Sequence, residues 1–320
     1  MVKKKEDVGK MITDVEREIS KVVVGQKEVI HGILRAVICN GHVLVEGVPG
    51  VAKTLIVRAI ATILGCEMKR IQFTVDLLPT DITGIMSYNP KKGFSILKGP
   101  VFANFILADE INRSPPKTQS ALLEAMQERS VTIARQTHIL PNPFFVMATE
   151  NPLEVSGVYS LPEAQVDRFL FKLMIGYPDT DDEKKILSSN MTINDFDSYD
   201  LKPVLNASKI LDLQAQVKEV FTSEAIEDYI VKIIHQTRDK NGDLGKYISY
   251  GASPRASISL YIASKAEALM QGRDYVTPED VQTVVYPVLR HRIILNYEAE
   301  AEDITADRVI KEILGKVNAP

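Results

Sequence analysis

The chain has 320 residues, 45% hydrophobic and 25% charged, with a formal net charge of −4. That is the make-up of a globular protein with room for about two domains, and no bulk basicity marks it as a nucleic-acid binder, although a local basic groove stays open. No apolar run approaches the ~20 residues of a membrane span, and the charged start MVKKKEDVGK lacks the apolar stretch of a secretory signal, so a cytoplasmic protein is expected.

In chain order, Lys3 to Lys5 reads as a solvated charge run. Residues 11–23 then set Ile12, Val15 and Ile19 at helical spacing. HVLVEG (42–47) is a short strand that runs into the Gly-rich stretch GVPGVAKT. Lys53 to Leu64 reads as a helix with Leu55, Ile56, Ala59, Ile60, Ile63 and Leu64 on one face. MKRIQFT (68–74), NFILAD (104–109), FFVMAT (144–149) and FLFKLMI (169–175) are further strands, apolar enough to be buried on both faces of a parallel sheet. Past about residue 180 the pattern turns helical. Ser253-Pro254 opens one helix that Gly272 closes, and Thr277-Pro278-Glu279-Asp280 opens another with an N-cap, a proline at N1 and an acid at N3. The coarse expectation is an α/β domain to about 178, followed by a smaller helical one.

GVPGVAKT lies between a strand and a helix, the setting in which a phosphate-binding loop forms. The fixed pattern is G-x-x-x-x-G-K-[ST], and Ala52 stands at the second glycine. Successive N–H groups and the helix N-terminus would face one anion, Lys53 would reach the β- and γ-phosphates, and Thr54 would ligate Mg²⁺. Two conformations are open at Ala52. A helix-like backbone makes the methyl group harmless, whereas a positive φ implies strain of about 1–2 kcal/mol. Alone, the loop could be an unrelated Gly/Pro turn. FILADE (105–110) argues against that, because an apolar strand ending in Asp109-Glu110 needs a reason to desolvate two acids. A nucleotide-bound Mg²⁺ on Asp109, and a water polarised by Glu110, supply one.

FFVMATEN ends in Glu150-Asn151, where Asn151 could hold the lytic water or simply start a turn before Pro152. GASPRA (251–256) sets Arg255 in the first turn of a helix, where a cation is unfavourable without an anionic partner. Cys39 and Cys66 show no metal-ligand spacing and read as plain thiols in a reducing compartment. The five histidines (His31, His42, His138, His235, His291) fall singly and read as structural or surface residues. Arg113 contacts a neighbour or caps the helix after it, the latter being the simpler reading.

Together GVPGVAKT, ILADEINRSPPKTQSALLEAMQE (106–128), ATENP, LPEAQVDRF and GASPRA resemble the MoxR family of AAA+ ATPases, in order and over about residues 15 to 315. The family often carries Ala before the loop lysine, so the resemblance implies a working loop. The resemblance implies a P-loop αβα three-layer domain with a parallel sheet over 1–178 and an all-helical lid over 179–320. It implies ATP and Mg²⁺, held by Gly47, Val48, Pro49, Gly50, Val51, Ala52, Lys53, Thr54 and Leu55, with Val24 and Gly25 against adenine and Thr54 and Asp109 on the metal. Glu110 becomes the catalytic acid and Asn151 sensor 1. Arg168 becomes an arginine finger for a neighbouring subunit, and Arg255 sensor 2. Residues 81–100 resemble a helix-2 insert, and 130–141 a hairpin before sensor 1. A ring, most simply hexameric, that remodels protein partners together with von Willebrand factor A domain proteins is implied. A metal-chelatase motor subunit and a nucleic-acid-stimulated motor stay open as rivals, the second disfavoured by the acidic balance.

Overall fold

The computed structural model describes residues 6–91, 93–152, 157–188, 196–240 and 245–320. The Lys3 to Lys5 charge run lies outside them. Five strands form one parallel sheet: β1 (Val43–Gly47), β2 (Met68–Gln72), β3 (Phe105–Asp109), β4 (Phe145–Glu150) and β5 (Phe171–Ile175), in the order β2-β3-β4-β1-β5. All five fall where strands are expected from sequence, but only four are apolar runs: β2, at the sheet edge, exposes Lys69 and Arg70 and buries only Ile71. The strands' side chains alternate between two buried layers, with Val43, Val45, Phe105, Leu107, Phe145 and Met147 on one face. Leu44, Ile106, Ala108, Val146 and Ala148 occupy the other. Helices cover both faces, which is why the strands are apolar almost throughout.

The first layer packs against α1 (Glu6–Ile19), α2 (Lys27–Ile38) and α3 (Lys53–Ile63). The second packs against α4 (Pro116–Glu128) through Leu122, Leu123 and Met126. Two antiparallel hairpins extend from this body, Gly84–Asn89 with Gly93–Lys98 and Ser130–Ile133 with Gln136–Ile139. The first carries uncovered apolar side chains on both faces, among them Ile85, Tyr88, Phe94 and Leu97.

After α5 (Thr180–Ser188), the second part of the chain is built from α6 (Ala207–Glu219), α7 (Glu224–Gln236), α8 (Pro254–Met270), α9 (Pro278–Leu289) and α10 (Ala306–Lys316). At the start of α9 the Asp280 carboxylate accepts from the Thr277 amide at 2.8 Å and from its hydroxyl at 3.1 Å, so the expected acid at N3 caps the helix. The lid is not wholly helical: Ile248–Tyr250 pairs antiparallel with Ile294–Leu295. A buried ion pair, Arg35 on α2 with Glu267 on α8, ties the two parts together.

Candidate active site

Ligands of open α/β sheets bind outside the carboxyl ends of the strands, and here that end opens on a cavity of about 530 Å³. The loop after β1, the acids after β3 and the Asn after β4 all reach it. Of the residues singled out from sequence, Val24, Pro49, Gly50, Val51, Ala52, Lys53, Thr54, Leu55, Asp109, Glu110 and Asn151 line this cavity.

The two loop glycines are required for different reasons. A Cβ on Gly47 would lie 2.0 Å from Ile175 Cγ2 and 2.6 Å from its carbonyl, so close packing against β5 excludes a side chain there. Gly50 has φ of +85° and nothing within 4 Å of a would-be Cβ, so it is needed for its backbone and leaves open space above the loop. Ala52 takes φ 61° and ψ 25°. Of the two conformations open at this position, the structure adopts the left-handed one, with its strain of about 1–2 kcal/mol. Lys53 then starts α3, and its Nζ donates to the Gly47 carbonyl at 2.6 Å.

The acids sit in a network that links three strands. Asp109 Oδ1 accepts from Thr149 Oγ1 at 2.7 Å, and Oδ2 accepts from Arg70 Nη2 at 2.7 Å and Nε at 3.2 Å. Glu110 Oε2 accepts from Gln72 Nε2 at 2.8 Å and from Arg113 Nη1 at 3.0 Å, and the Glu110 amide donates to Thr149 Oγ1 at 2.9 Å. Glu110 also has a left-handed backbone, φ 57° and ψ 51°, a strained geometry of the kind found at functional positions. Arg113 pairs with Glu110 across one turn. Among the described residues no three His, Cys, Asp or Glu side chains converge into a metal cage. A Mg²⁺ held by one carboxylate, one hydroxyl and phosphate oxygens needs none, and Asp109 and Thr54 line the same cavity.

Other expected residues lie outside this lining. Gly25 faces an adjoining cavity of about 820 Å³ beside Asp182, and VVVGQ (22–26) is a loop between α1 and α2. Arg168 is half-buried on the turn before β5, and Arg255, in the first turn of α8, lies 3.7 Å from Asp167. Sequence reasoning missed Val23, Gln26, Pro178 and Ile186, which also line the cavity, and Arg70, Gln72 and Thr149, which hold the acids. The polar alternation of Arg70 and Gln72 within MKRIQFT was the available signal, since Gln72 pairs in register with Asp109.

Beside the acids' end of the sheet, Glu46 and Glu150 are register partners, and Lys172 Nζ lies 2.5 Å from Glu46. Burial raises the Glu150 carboxyl above its ordinary range, Lys172 opposes that and Glu46 adds to it. His42 is held as neutral imidazole. Its Nδ1 accepts from the Val146 amide at 3.0 Å, and its Nε2 lies 3.3 Å from the Met126 carbonyl, which accepts the ring proton. Burial pushes its pKa down to about 3, helped by the Arg129 charge and opposed by the Met126 carbonyl.

The chain matches the model of the ATPase family associated with various cellular activities (AAA) over residues 42–171, and the AAA lid domain over 244–313. It is 46% identical to Chaperone MoxR1 of Mycobacterium tuberculosis, over 95% of this chain and 81% of that one. It is 31% identical to Protein MoxR of Methylorubrum extorquens, over 95% and 94%. A crystal structure of a Cytophaga hutchinsonii protein superposes with a TM-score of 0.91 at 48% identity, covering 99% and 97% of the two chains.

Proposed function

The chain belongs to the MoxR family of AAA+ ATPases and hydrolyses ATP, and on that premise we propose that it does so with Mg²⁺ in a hexameric ring that remodels protein partners. The observation that carries the reading is the convergence of loop, acids and Asn151 from three strand ends on one cavity. The P-loop amides and Lys53 hold the phosphates. Thr54 and Asp109 offer the hard oxygen donors that suit Mg²⁺, which when bound neutralises phosphate charge. Glu110 orients the attacking water and takes its proton, with Asn151 fixing that water by hydrogen bonds. For Glu110 to do this, its carboxylate must turn from Gln72 and Arg113 toward the cavity. Arg168 stabilises the charge developing in a neighbour's site, and Arg255 reads the γ-phosphate from the lid. Val24, with Gln26 and Ile186, encloses the base.

A relative named as a chaperone supports a protein client, and the uncovered apolar hairpin at Gly84–Lys98 gives such a client a surface. Action alongside a von Willebrand factor A domain protein, in the cytoplasm, completes the proposal. Among the described residues no helix is long and apolar enough to cross a membrane. The test is calorimetry with ATP–Mg²⁺ beside a phosphate-release assay. Lys53→Ala should lose binding. Glu110→Gln should bind ATP with near-normal affinity and turn over at least 10²-fold more slowly. Wild-type turnover by Glu110→Gln would remove the catalytic assignment.

A further inference from the structure

Arg255 is the cation expected to meet nucleotide from the lid, yet its guanidinium already has an anion. Its Nη1 lies 3.7 Å from Asp167 Oδ2, with half of the side chain exposed. Asp167 is a joint between the two parts of the molecule. Its Oδ1 accepts from Arg292 Nε at 2.7 Å, its Oδ2 accepts from Ser253 Oγ at 3.2 Å, and its backbone carbonyl accepts from Arg292 Nη2 at 3.2 Å. The two cations on this carboxylate differ. Arg292 is buried, so losing its counter-charge is costly. Arg255 is half exposed and beyond hydrogen-bond distance, so it can leave at little cost. Asp167 therefore has one fixed cation and one exchangeable one.

We propose that Asp167 is a positioning residue that holds Arg255 in the absence of ATP and competes with the γ-phosphate for it. The proposal rests on the reading of Arg255 as the lid sensor. Carboxylate and phosphate oxygens present similar acceptors to a guanidinium, and a phosphate surrounded by the P-loop carries more charge, so the exchange runs toward the nucleotide. Arg168 is the next residue. Arg292 also donates to the carbonyls of Phe169 at 2.7 Å and Leu170 at 3.1 Å. The segment that bears the arginine offered to a neighbour is thus the one that registers the exchange.

The test is the affinity for ATP–Mg²⁺ in a Glu110→Gln background, where turnover does not interfere. Asp167→Asn keeps an acceptor for Arg292 and releases Arg255, so ATP should bind about two- to five-fold more tightly, the worth of one exposed ion pair, with ADP affinity unchanged. Adding Arg255→Ala should abolish that gain. A merely structural Asp167 would weaken both nucleotides alike. Unchanged or weaker ATP binding by folded Asp167→Asn overturns the proposal. Wild-type ATP affinity and turnover in Arg255→Ala alone would instead overturn the sensor reading, and the proposal with it. If Asp167→Asn does not fold, the Glu110→Gln protein with Asp167 intact still gives an answer. ATP, but not ADP, should shift the Asp167 carboxyl-carbon NMR resonance, identified through Asp167→Glu, and no shift would overturn the exchange.

Discussion

Ala52 stands in the left-handed region at the second glycine of the phosphate-loop pattern. Replacing it with glycine removes strain of about 1–2 kcal/mol and adds unfolded-chain freedom worth about 0.4–1 kcal/mol in the opposite direction. The strain term is larger, so Ala52→Gly should raise the unfolding free energy by about 0.5–1 kcal/mol. Urea titration checks this, and a loss of stability would mean that the loop relaxes around alanine. His42 makes a prediction about pH. Its folded pKa is depressed to about 3, against about 6.5 when unfolded. Below pH 6.5 the unfolded chain takes up a proton that the folded one refuses, so this contribution is complete above pH 6.5 and is lost progressively toward pH 3. The loss approaches about 1.4 kcal/mol per pH unit for this one group. His42→Gln keeps an acceptor for Val146 and a donor for Met126, and its urea midpoint should fall less between pH 6.5 and 5. An identical pH slope would mean that His42 is not responsible.

The elements show where sequence suffices. Four of the five strands of the sheet announce themselves as apolar runs, and the start of α9 as Thr-Pro-Glu-Asp, because each signal is local, whereas the edge strand β2 is mainly polar. The P-loop, Asp109-Glu110 and Asn151 were legible for the same reason, each falling at the end of a recognisable strand. Contacts between distant segments were not legible. Arg35 and Glu267 are 232 residues apart, and nothing near either one says that it is buried. Arg292 likewise looks like one of many lid cations until Asp167 is seen against it. The Ala52 backbone was undecidable for another reason, since alanine fits a helix as readily as a tolerated left-handed turn. The buried pair gives a test of how the two parts are joined. Glu267→Ala strands the Arg35 charge and should cost about 3–5 kcal/mol, whereas replacing both residues by leucine or methionine should be far milder. Equal losses in the single and double variants would show that packing, not charge, holds α2 to α8.

At the scale of the whole molecule, the proposed catalytic site needs two chains. Arg168 lies on the turn before β5 and outside the lining of its own nucleotide cavity, which fits an arginine presented to a neighbour. Such a residue is worth roughly 10³–10⁵ in rate in other P-loop enzymes, or about 4–7 kcal/mol of barrier. Hydrolysis should therefore rise with protein concentration as rings assemble, and Arg168→Ala should bind ATP but turn over poorly. The most direct measurement mixes Arg168→Ala with Glu110→Gln, each slow alone, and follows phosphate release. At equal amounts about a quarter of the interfaces pair an intact Glu110 with an intact Arg168, so activity should reappear toward that fraction of the wild-type rate. No recovery at any ratio, in assemblies shown to exchange subunits, would contradict a site shared between neighbouring chains.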